Sequence, residues 1–382
     1  MRVCVIYDCL FPYTIGGAER WYRNLAERLS AEGHEVTYLT LRQWPRGERP
    51  ALDDRIKVVT AGPRMALYTA GGRRRTLPPI LFGLGVFVHL LRHGRRYDVV
   101  HMCDFPFFSL LSAGLLRPFL RFELLVDWFE VWSRSYWLDY LGGVGGRIGW
   151  LVQRICALVP QRAFCFSELQ AERLREEGMR GNVTVLRGLY AGASEPATPR
   201  PADPVVLFAG RLIPDKQVTL AVAAMAIAVQ RVKGLRGEFL GDGPERAALD
   251  ASIAEHGLQE IVLAPGFVDS ETVEEEMRRA LCMLLPSRRE GYGMVVVEAA
   301  ARGTPSIVVA GEDNAATELI TEGVNGTIAE RPDAEVVAEA IVRVHKGGIE
   351  LRESTSRWFA ENAEWLSLEH SLKIVLNSYR AR

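Results

Sequence analysis

Two glutamates eight positions apart, Glu290 and Glu298, are the residues of this chain best suited to chemistry. The turn Gly291-Tyr292-Gly293 and an apolar run from Met294 separate them. Glycines let a ligand come close to backbone amides, and a helix beginning near this turn directs the positive end of its dipole there. A ligand with sugar hydroxyls at Glu290, a diphosphate at the amides and ribose hydroxyls at Glu298 fits these features. The alternative is two solvated glutamates beside an ordinary strand-to-helix turn.

Two cations follow a predicted strand in the same half of the chain. Arg211 and Lys216 come directly after the apolar run Val205–Ala209. An arginine can bind phosphate with two parallel hydrogen bonds, and a lysine acts as a point charge. The pair therefore suits a diphosphate, and the alternative is two solvated surface residues.

A glycine pair lies between the first predicted strand and the first predicted helix. Gly16-Gly17-Ala18-Glu19 opens that helix, and a glycine turn at a helix N-terminus can receive phosphate. It is not the dinucleotide-binding fingerprint, because no Gly-x-Gly-x-x-Gly follows any strand. The alternative is a plain tight turn.

Short apolar segments alternate with helical patterns in both halves of the chain. In the first half, strands are predicted at residues 3–7, 35–40, 99–102, 124–126 and 163–167, with helices such as 18–32 and 170–177 between them. Residues 191–204 are rich in proline and small residues, which is typical of a linker. Beyond it, strands are predicted at residues 205–209, 237–240, 261–263, 282–286 and 306–309. This pattern predicts two doubly wound parallel sheets, with ligands at the carboxyl ends of their strands.

Composition narrows the classes of protein that the chain can be. With 382 residues it suits two domains, and its 48% hydrophobic and 24% charged residues are ordinary for a globular protein. A net charge of −1 does not favour a nucleic-acid partner. Six scattered cysteines without a Cys-x-x-Cys pair argue against a disulfide framework and a zinc site. No signal peptide precedes the first strand, so a cytoplasmic location with reduced thiols is expected.

One apolar segment, residues 80–91, has arginines at both ends. Such a segment could lie on an anionic membrane surface, in peripheral contact with the inner face, or it could be a buried helix whose arginines reach solvent. No apolar run reaches the roughly 18–20 residues that a membrane span needs. His89 and His93 have the spacing of a helical metal pair, but no third ligand accompanies them, so no metal is predicted.

The segment from Glu290 to Glu298 resembles the E-x7-E motif of the retaining GT-B glycosyltransferases, specifically the family 4 group that uses nucleotide-sugars. Gly16-Gly17-Ala18-Glu19 and Gly33-His34-Glu35-Val36 resemble the opening of the same family, and Arg211 with Lys216 resembles its donor loop. Further family landmarks occur in order at residues 240–245, 265–268, 316–320 and 322–326.

This resemblance implies the GT-B fold: two α/β, Rossmann-like domains facing across a cleft, with a C-terminal helix crossing back to the first. We expect an acceptor-side domain over residues 1–195, a nucleotide-sugar-binding domain over 196–365 and the crossover helix over 366–382.

The resemblance also implies the donor site. Arg211 and Lys216 would hold the diphosphate and stabilise the leaving group, and Glu290 would contact the sugar. The loop at Gly16 and Gly17 would approach the diphosphate or the acceptor. The nucleobase would lie near Phe267 and Val268, and the remaining expected donor contacts are Gly266, Gly291, Tyr292, Gly293, Met294 and Glu298.

The acceptor side departs from the family pattern. Family 4 proteins usually carry a histidine after a strand of the first domain, and here Phe129 occupies that position. Asp127 and Glu130 are the polar residues beside it, in an aromatic setting that could raise a carboxylate pKa. His101 and Asp104 follow a neighbouring strand and form a second candidate pair, although a lone histidine here could be structural.

The expected activity is retaining, metal-independent transfer of a hexosyl group from a UDP-sugar to an acceptor hydroxyl, without a further cofactor. No Asp-x-Asp motif, the metal-binding signature of the other major transferase fold, occurs. The acceptor would be a small molecule, lipid or polysaccharide, and the enzyme a monomer or homodimer. Two alternatives remain: an inactive nucleotide-sugar-binding protein, and a sugar-nucleotide epimerase or phosphorylase-like enzyme of the same fold.

Overall fold

The structure, a computed structural model, describes residues 1–380 except 15, 46, 68 and 70–73. The described residues divide into two compact units. The first holds residues 1–69, 74–189 and 368–380, and the second holds residues 190–367. The division thus falls between Leu189 and Tyr190, six residues before the predicted boundary.

The first unit is built on a sheet of seven parallel strands. In chain order they are β1 (Arg2–Ile6), β2 (Glu35–Thr40), β3 (Lys57–Thr60), β4 (Val99–Cys103), β5 (Glu123–Trp128), β6 (Arg162–Cys165) and β7 (Val183–Val185). Their order across the sheet is β3-β2-β1-β4-β5-β6-β7. The direction of winding therefore reverses between β1 and β4, and ligands of doubly wound sheets bind at the carboxyl ends of such strands.

Five helices connect these strands: α1 (Gly17–Ala31), α2 (Leu77–His93), α3 (Phe107–Leu120), α4 (Arg134–Leu158) and α5 (Glu168–Glu176). Helix α1 shows why they form. Trp21, Tyr22, Leu25 and Leu29 recur on one face and are buried. The helix ends before Gly33, whose φ of 83° suits the left-handed residue that terminates many helices.

The second unit contains a parallel sheet of six strands and a separate two-stranded ladder. The sheet has the order β10-β9-β8-β11-β13-β15, and β12 pairs with β14. The strands are β8 (Val205–Ala209), β9 (Arg236–Leu240), β10 (Val262–Gly266), β11 (Cys282–Leu285), β12 (Arg289–Glu290), β13 (Ser306–Val309), β14 (Asp313–Asn314) and β15 (Gly326–Ala329). The helices are α6 (Val218–Ala228), α7 (Arg246–Glu255), α8 (Ser270–Arg279), α9 (Met294–Ala300) and α10 (Ala334–Leu366).

The last helix, α11 (Leu368–Arg380), packs against the first unit rather than the second. Ser371 Oγ accepts a 3.1 Å hydrogen bond from the Gly188 amide, and Arg162 donates to the Ser378 carbonyl at 2.7 Å. Arg28 of α1 also forms an ion pair with Glu369. The chain therefore returns to its first unit at its C-terminal end.

The prediction of two parallel-sheet α/β domains is confirmed. Helix α2 together with the short turn that follows it, Leu77–Arg96, is long and apolar enough to cross a membrane by length and composition alone. However, 39% of its apolar 18-residue segment is buried inside the protein. Gly83 and Gly85 let it pack closely, since an added Cβ would meet Phe108 and the Ala61 carbonyl respectively. All six cysteines are free and buried.

Candidate functional site

The loops after β8 and β9 touch through their backbones. A Cβ on Gly241 would lie 1.9 Å from the Gly210 carbonyl oxygen, and the φ of Gly241 is +134°. Glycine is therefore required there. This contact fixes the loop that carries Arg211, whose side chain is exposed, and Lys216, which is partly buried.

Lys216 and Glu290, two of the predicted donor residues, form an ion pair. Lys216 Nζ donates to Glu290 Oε1, and both side chains are largely shielded from solvent. The Arg288 amide donates to the Asp215 carbonyl at 2.8 Å, which joins the two loops. The structure thus brings together residues 74 positions apart in the chain.

The β12–β14 ladder holds Glu290 in place. Glu290 pairs with Asn314, whose buried amide donates to the carbonyls of Ser287 and Val309 at 2.9 and 2.8 Å. Asn314 also accepts a 3.0 Å hydrogen bond from the Ala316 amide. Sequence analysis did not single out Asn314, because its role depends on a two-residue ladder that has no periodic pattern.

Helix α9 begins at Met294, as the Gly-x-Gly turn predicts. Gly293 has φ of +102°, and a Cβ there would lie 2.6 Å from Ala316 Cβ. Glu298 follows about one turn into the helix and is partly exposed. Arg302, one turn further, donates to the Glu298 carbonyl at 3.4 Å and forms an ion pair with Glu274 at 2.7 Å.

The segment at the end of β10 presents an exposed aromatic ring. Phe267 is 80% exposed, whereas Val268 packs against the apolar cluster around Leu240 and Met283. Gly266 has φ of +92°, and its carbonyl accepts a hydrogen bond from the Gly241 amide at 2.8 Å. An exposed phenylalanine on a fixed loop can stack on a flat ligand.

In the first unit, the glycine pair lies beside a carboxylate. A Cβ on Gly16 would lie 2.3 Å from Glu19 Oε2, while nothing lies within 4 Å of one on Gly17. Glu19 is buried in the first turn of α1. The role of Gly16 and Gly17, at the diphosphate or at the acceptor, stays a prediction.

His101 and Asp127 form a hydrogen-bond network in the core. Both are 0% exposed. His101 Nε2 lies 2.9 Å from Asp127 Oδ1, and His101 Nδ1 lies 2.6 Å from the Tyr379 hydroxyl of α11. Asp127 Oδ2 accepts a 2.7 Å hydrogen bond from Trp21 of α1. This geometry does not support the predicted acceptor-side roles of His101 and Asp127, because neither is accessible to a substrate; instead they join β4, β5, α1 and α11.

Phe129 and Glu130 lie directly after β5. Phe129 stacks on Phe166 with ring centroids 4.3 Å apart and planes inclined by 11°. Glu130 is partly exposed and accepts a 2.9 Å hydrogen bond from Trp132 Nε1. Of the two carboxylates predicted beside Phe129, only Glu130 reaches the surface.

Asp104 lies at the carboxyl end of β4 and is 2% exposed. Burial raises the pKa of this carboxyl from 3.8 to about 7, against the opposing effect of backbone hydrogen bonds from Phe105 and Phe129. Asp104 is therefore partly protonated near neutral pH.

A second carboxylate at this sheet edge was missed. Asp8 follows β1 and forms an ion pair with Arg74, while its buried Oδ1 has no hydrogen-bond partner among the described residues. The Arg74 guanidinium lies 5.1 Å from the ring centroid of Phe105, which follows Asp104. The sequence feature that could have identified Asp8 is its position as an acidic residue directly after the first predicted strand. Asp8 and Asp104 thus end the two strands where the winding reverses.

Two family models match the chain. The first, glycosyl transferases group 1, covers residues 194–363, and the second, glycosyl transferase 4-like domain, covers residues 16–188. The chain is 25% identical over 363 residues to the glycogen synthase of Mycobacterium tuberculosis strain H37Rv, covering 89% of this chain and 85% of that protein. Two other curated relatives match this chain over only part of their own length, 14% in one and 40% in the other.

Solved structures share the fold at low sequence identity. A sucrose-phosphate synthase from Thermosynechococcus elongatus has a TM-score of 0.80 at 19% identity. The match covers 99% of this chain and 98% of the synthase chain. Anabaena HepE in complex with UDP and glucose has a TM-score of 0.74 at 16% identity, with full coverage of both chains. These two similarities bear on the fold.

Proposed function

We propose that the chain, whose two halves match the glycosyl transferases group 1 and glycosyl transferase 4-like models, is a retaining GT-B glycosyltransferase that uses a UDP-sugar and needs no metal or other cofactor. The observation that carries the proposal is the Lys216–Glu290 ion pair, held between the β8 loop and the β12–β14 ladder. It brings a cation and a carboxylate side by side in the second unit, and this supports the proposal.

Such a pair suits a sugar diphosphate better than it suits a sugar alone or a diphosphate alone. A phosphate oxygen would draw Lys216 from Glu290, and the released carboxylate would accept hydrogen bonds from the sugar hydroxyls. Arg211, exposed on the same loop, would add a second cation for the diphosphate. Phe267 would stack on the uracil, and Glu298 would accept hydrogen bonds from the ribose hydroxyls. The complex of Anabaena HepE with UDP and glucose supports this choice of nucleotide.

The transfer step follows from these positions. The bond between the anomeric carbon and the diphosphate oxygen breaks, and a bond to the acceptor oxygen forms on the same face. The acceptor proton passes to the departing phosphate oxygen. Arg211 and Lys216 stabilise the charge that develops on the diphosphate, which is typically the largest catalytic contribution.

The first unit would bind the acceptor. The partly exposed Glu130, and Arg74, which pairs with the buried Asp8 and is itself partly exposed, are polar groups suited to hydroxyls. A small molecule, a lipid or a polysaccharide remains the proposed acceptor, in a cytoplasmic protein that is a monomer or homodimer.

The test is turnover with UDP-sugars in the presence of EDTA. We expect release of UDP that requires an acceptor, and an α-linked product by NMR from an α-linked donor. Loss of turnover on chelation with recovery in Mg²⁺ or Mn²⁺ would contradict the metal claim, and a β-linked product would contradict retention. Binding of UDP without any turnover across acceptor classes would favour an inactive binding protein.

A further inference from the structure

The exposed apolar residues of the first unit are concentrated on three consecutive helices. Of the 17 large hydrophobic residues exposed in the described part of the chain, 13 lie on α2, α3 and α4. Helix α3 packs against both of the others, so the three are neighbours. Scattered exposed hydrophobic residues are ordinary, whereas a contiguous group marks an interaction surface.

Helix α4 shows the most regular pattern. Its residues Val144, Ile148, Leu151, Ile155 and Leu158 are spaced by four and three positions and are 45–73% exposed. This spacing puts them on one face of the helix. Residues of the other face, including Gln153 and Cys156, are buried in the unit. The outer face is therefore apolar along four turns and faces solvent.

The same helices are basic. Helices α2 to α4, with the short turn Gly94–Arg96 that follows α2, contain a single acidic residue, Asp139. They contain seven arginines: Arg92, Arg95, Arg96, Arg117, Arg134, Arg147 and Arg154. The whole chain is almost balanced, with 46 basic and 47 acidic residues, so the positive charge is local.

We propose that α2, α3 and α4 dock the first unit onto an anionic phospholipid surface. Apolar side chains would enter the boundary between headgroups and acyl chains while the arginines contact lipid phosphates. A second copy of the same face is disfavoured as the occupant, because it would bring two basic surfaces together. The inference rests on exposure and charge and does not depend on the proposed sugar transfer.

A basic cavity adjoins this surface. It has a volume of about 690 Å³ and is lined by Arg117 of α3, Leu158 of the exposed α4 face, Arg162 and Arg180. The buried Nε of Arg117 has no hydrogen-bond partner in the part of the chain that the structure describes. Glu123 is the acidic residue of the lining and pairs with Arg162 at 3.0 Å. The cavity therefore offers an anionic lipid headgroup a site at the end of the apolar face.

The test is co-sedimentation with vesicles of phosphatidylcholine alone or with about 30 mol% phosphatidylglycerol. We expect the wild-type protein to sediment with the anionic vesicles. The variant Val144→Asp/Ile148→Asp should bind at least about tenfold more weakly, because two charges replace apolar contacts. The matched control is Ile349→Asp, which changes an exposed apolar residue of α10 in the second unit and should bind like the wild type.

A second variant keeps the test decisive if the first does not fold, which circular dichroism would reveal. Arg147→Gln/Arg154→Gln leaves the apolar face intact and should weaken binding to anionic vesicles, and its difference from the wild type should shrink at high salt, where the arginine charges are screened. Absence of wild-type binding to either vesicle, or equal binding by all variants, would overturn the proposal. So would a wild-type dimer in light scattering that Val144→Asp/Ile148→Asp converts to a monomer, since the face would then be a subunit interface.

Discussion

Lys216 and Glu290 neutralise each other before any donor binds, because they share an ion pair. Replacing Lys216 by Ala should lower kcat at least about tenfold, since its charge is needed most when the diphosphate departs. Arg211→Ala should have a similar effect, and the double variant should lose less than the sum, because both serve one charge. Steady-state kinetics with saturating donor would measure this.

The variant Arg211→Lys tests whether the positive charge of Arg211 is sufficient or whether the planar shape of its guanidinium is also needed. A point charge cannot reproduce the planar fork of a guanidinium, so this variant should recover only part of the activity that Arg211→Ala loses. Full recovery would show that Arg211 supplies only a positive field. Arg236→Lys is the control, because Arg236 is an exposed residue at the start of β9, the opposite end of that strand from the site.

Asp104 predicts a pH dependence of stability. Its pKa rises from 3.8 to about 7 on folding, so the folded protein holds this proton more tightly than the unfolded chain. The contribution of Asp104 therefore favours the folded state below about pH 4 and is lost as the pH rises to about 7. Asp104→Asn should remove this pH dependence, which amounts to a change on the order of a few kcal/mol in the unfolding free energy between about pH 4 and pH 7. Urea unfolding across this range would measure it, and an unchanged slope in Asp104→Asn would contradict the assignment.

At the residue level, the sequence was informative where function depends on neighbours in the chain. Glu290, the Gly-Tyr-Gly turn and Glu298 are contiguous, so their pattern could be read directly. The burial of Asp127, and of His101, for which a structural role was the alternative, could not be read from the sequence because polarity does not reveal burial. Their partner Tyr379 lies 278 positions from His101, beyond any local pattern.

At the level of elements, α11 is joined to the sheet of the first unit by the hydrogen bonds among Tyr379, His101 and Asp127. Tyr379→Phe removes the hydroxyl and leaves His101 Nδ1 buried without its partner, which should cost about 1–3 kcal/mol of unfolding free energy. Chemical unfolding would measure the loss. Tyr13→Phe is the control, because Tyr13 is exposed and its hydroxyl accepts one hydrogen bond from the Ala51 amide. Equal effects of the two substitutions would contradict the role of the network.

Burial distinguishes the strands predicted with their observed ends from two of those that were missed. β2, β8 and β13 were predicted with their observed ends, because they are mostly buried and rich in β-branched, aromatic and aliphatic residues. β3 and β7 are the two edges of the first sheet and are only partly buried, so their apolar pattern is weak. The ladder of β12 and β14 has two residues per strand and depends on tertiary contacts.

At the level of the whole molecule, the alternation of strands and helices predicted two parallel-sheet domains, and the structure has them. Nucleotide binding is expected in the second unit alone. The residues expected to bind the nucleotide, among them Phe267 and Glu298, lie there, whereas Glu130 lies in the first unit. Variants in the two units should therefore differ in their affinity for the nucleotide.

Calorimetric titration of UDP tests this assignment most directly. The wild-type protein should bind UDP, and Glu298→Ala should weaken binding by about 1.5–3 kcal/mol through loss of a charged hydrogen-bond partner. Glu290→Ala should retain UDP affinity while losing turnover, because its expected partner is the sugar, and Glu130→Gln should retain UDP affinity as well. Unchanged affinity in Glu298→Ala, or loss of UDP binding in a folded Glu130→Gln protein, would contradict the placement of the donor in the second unit.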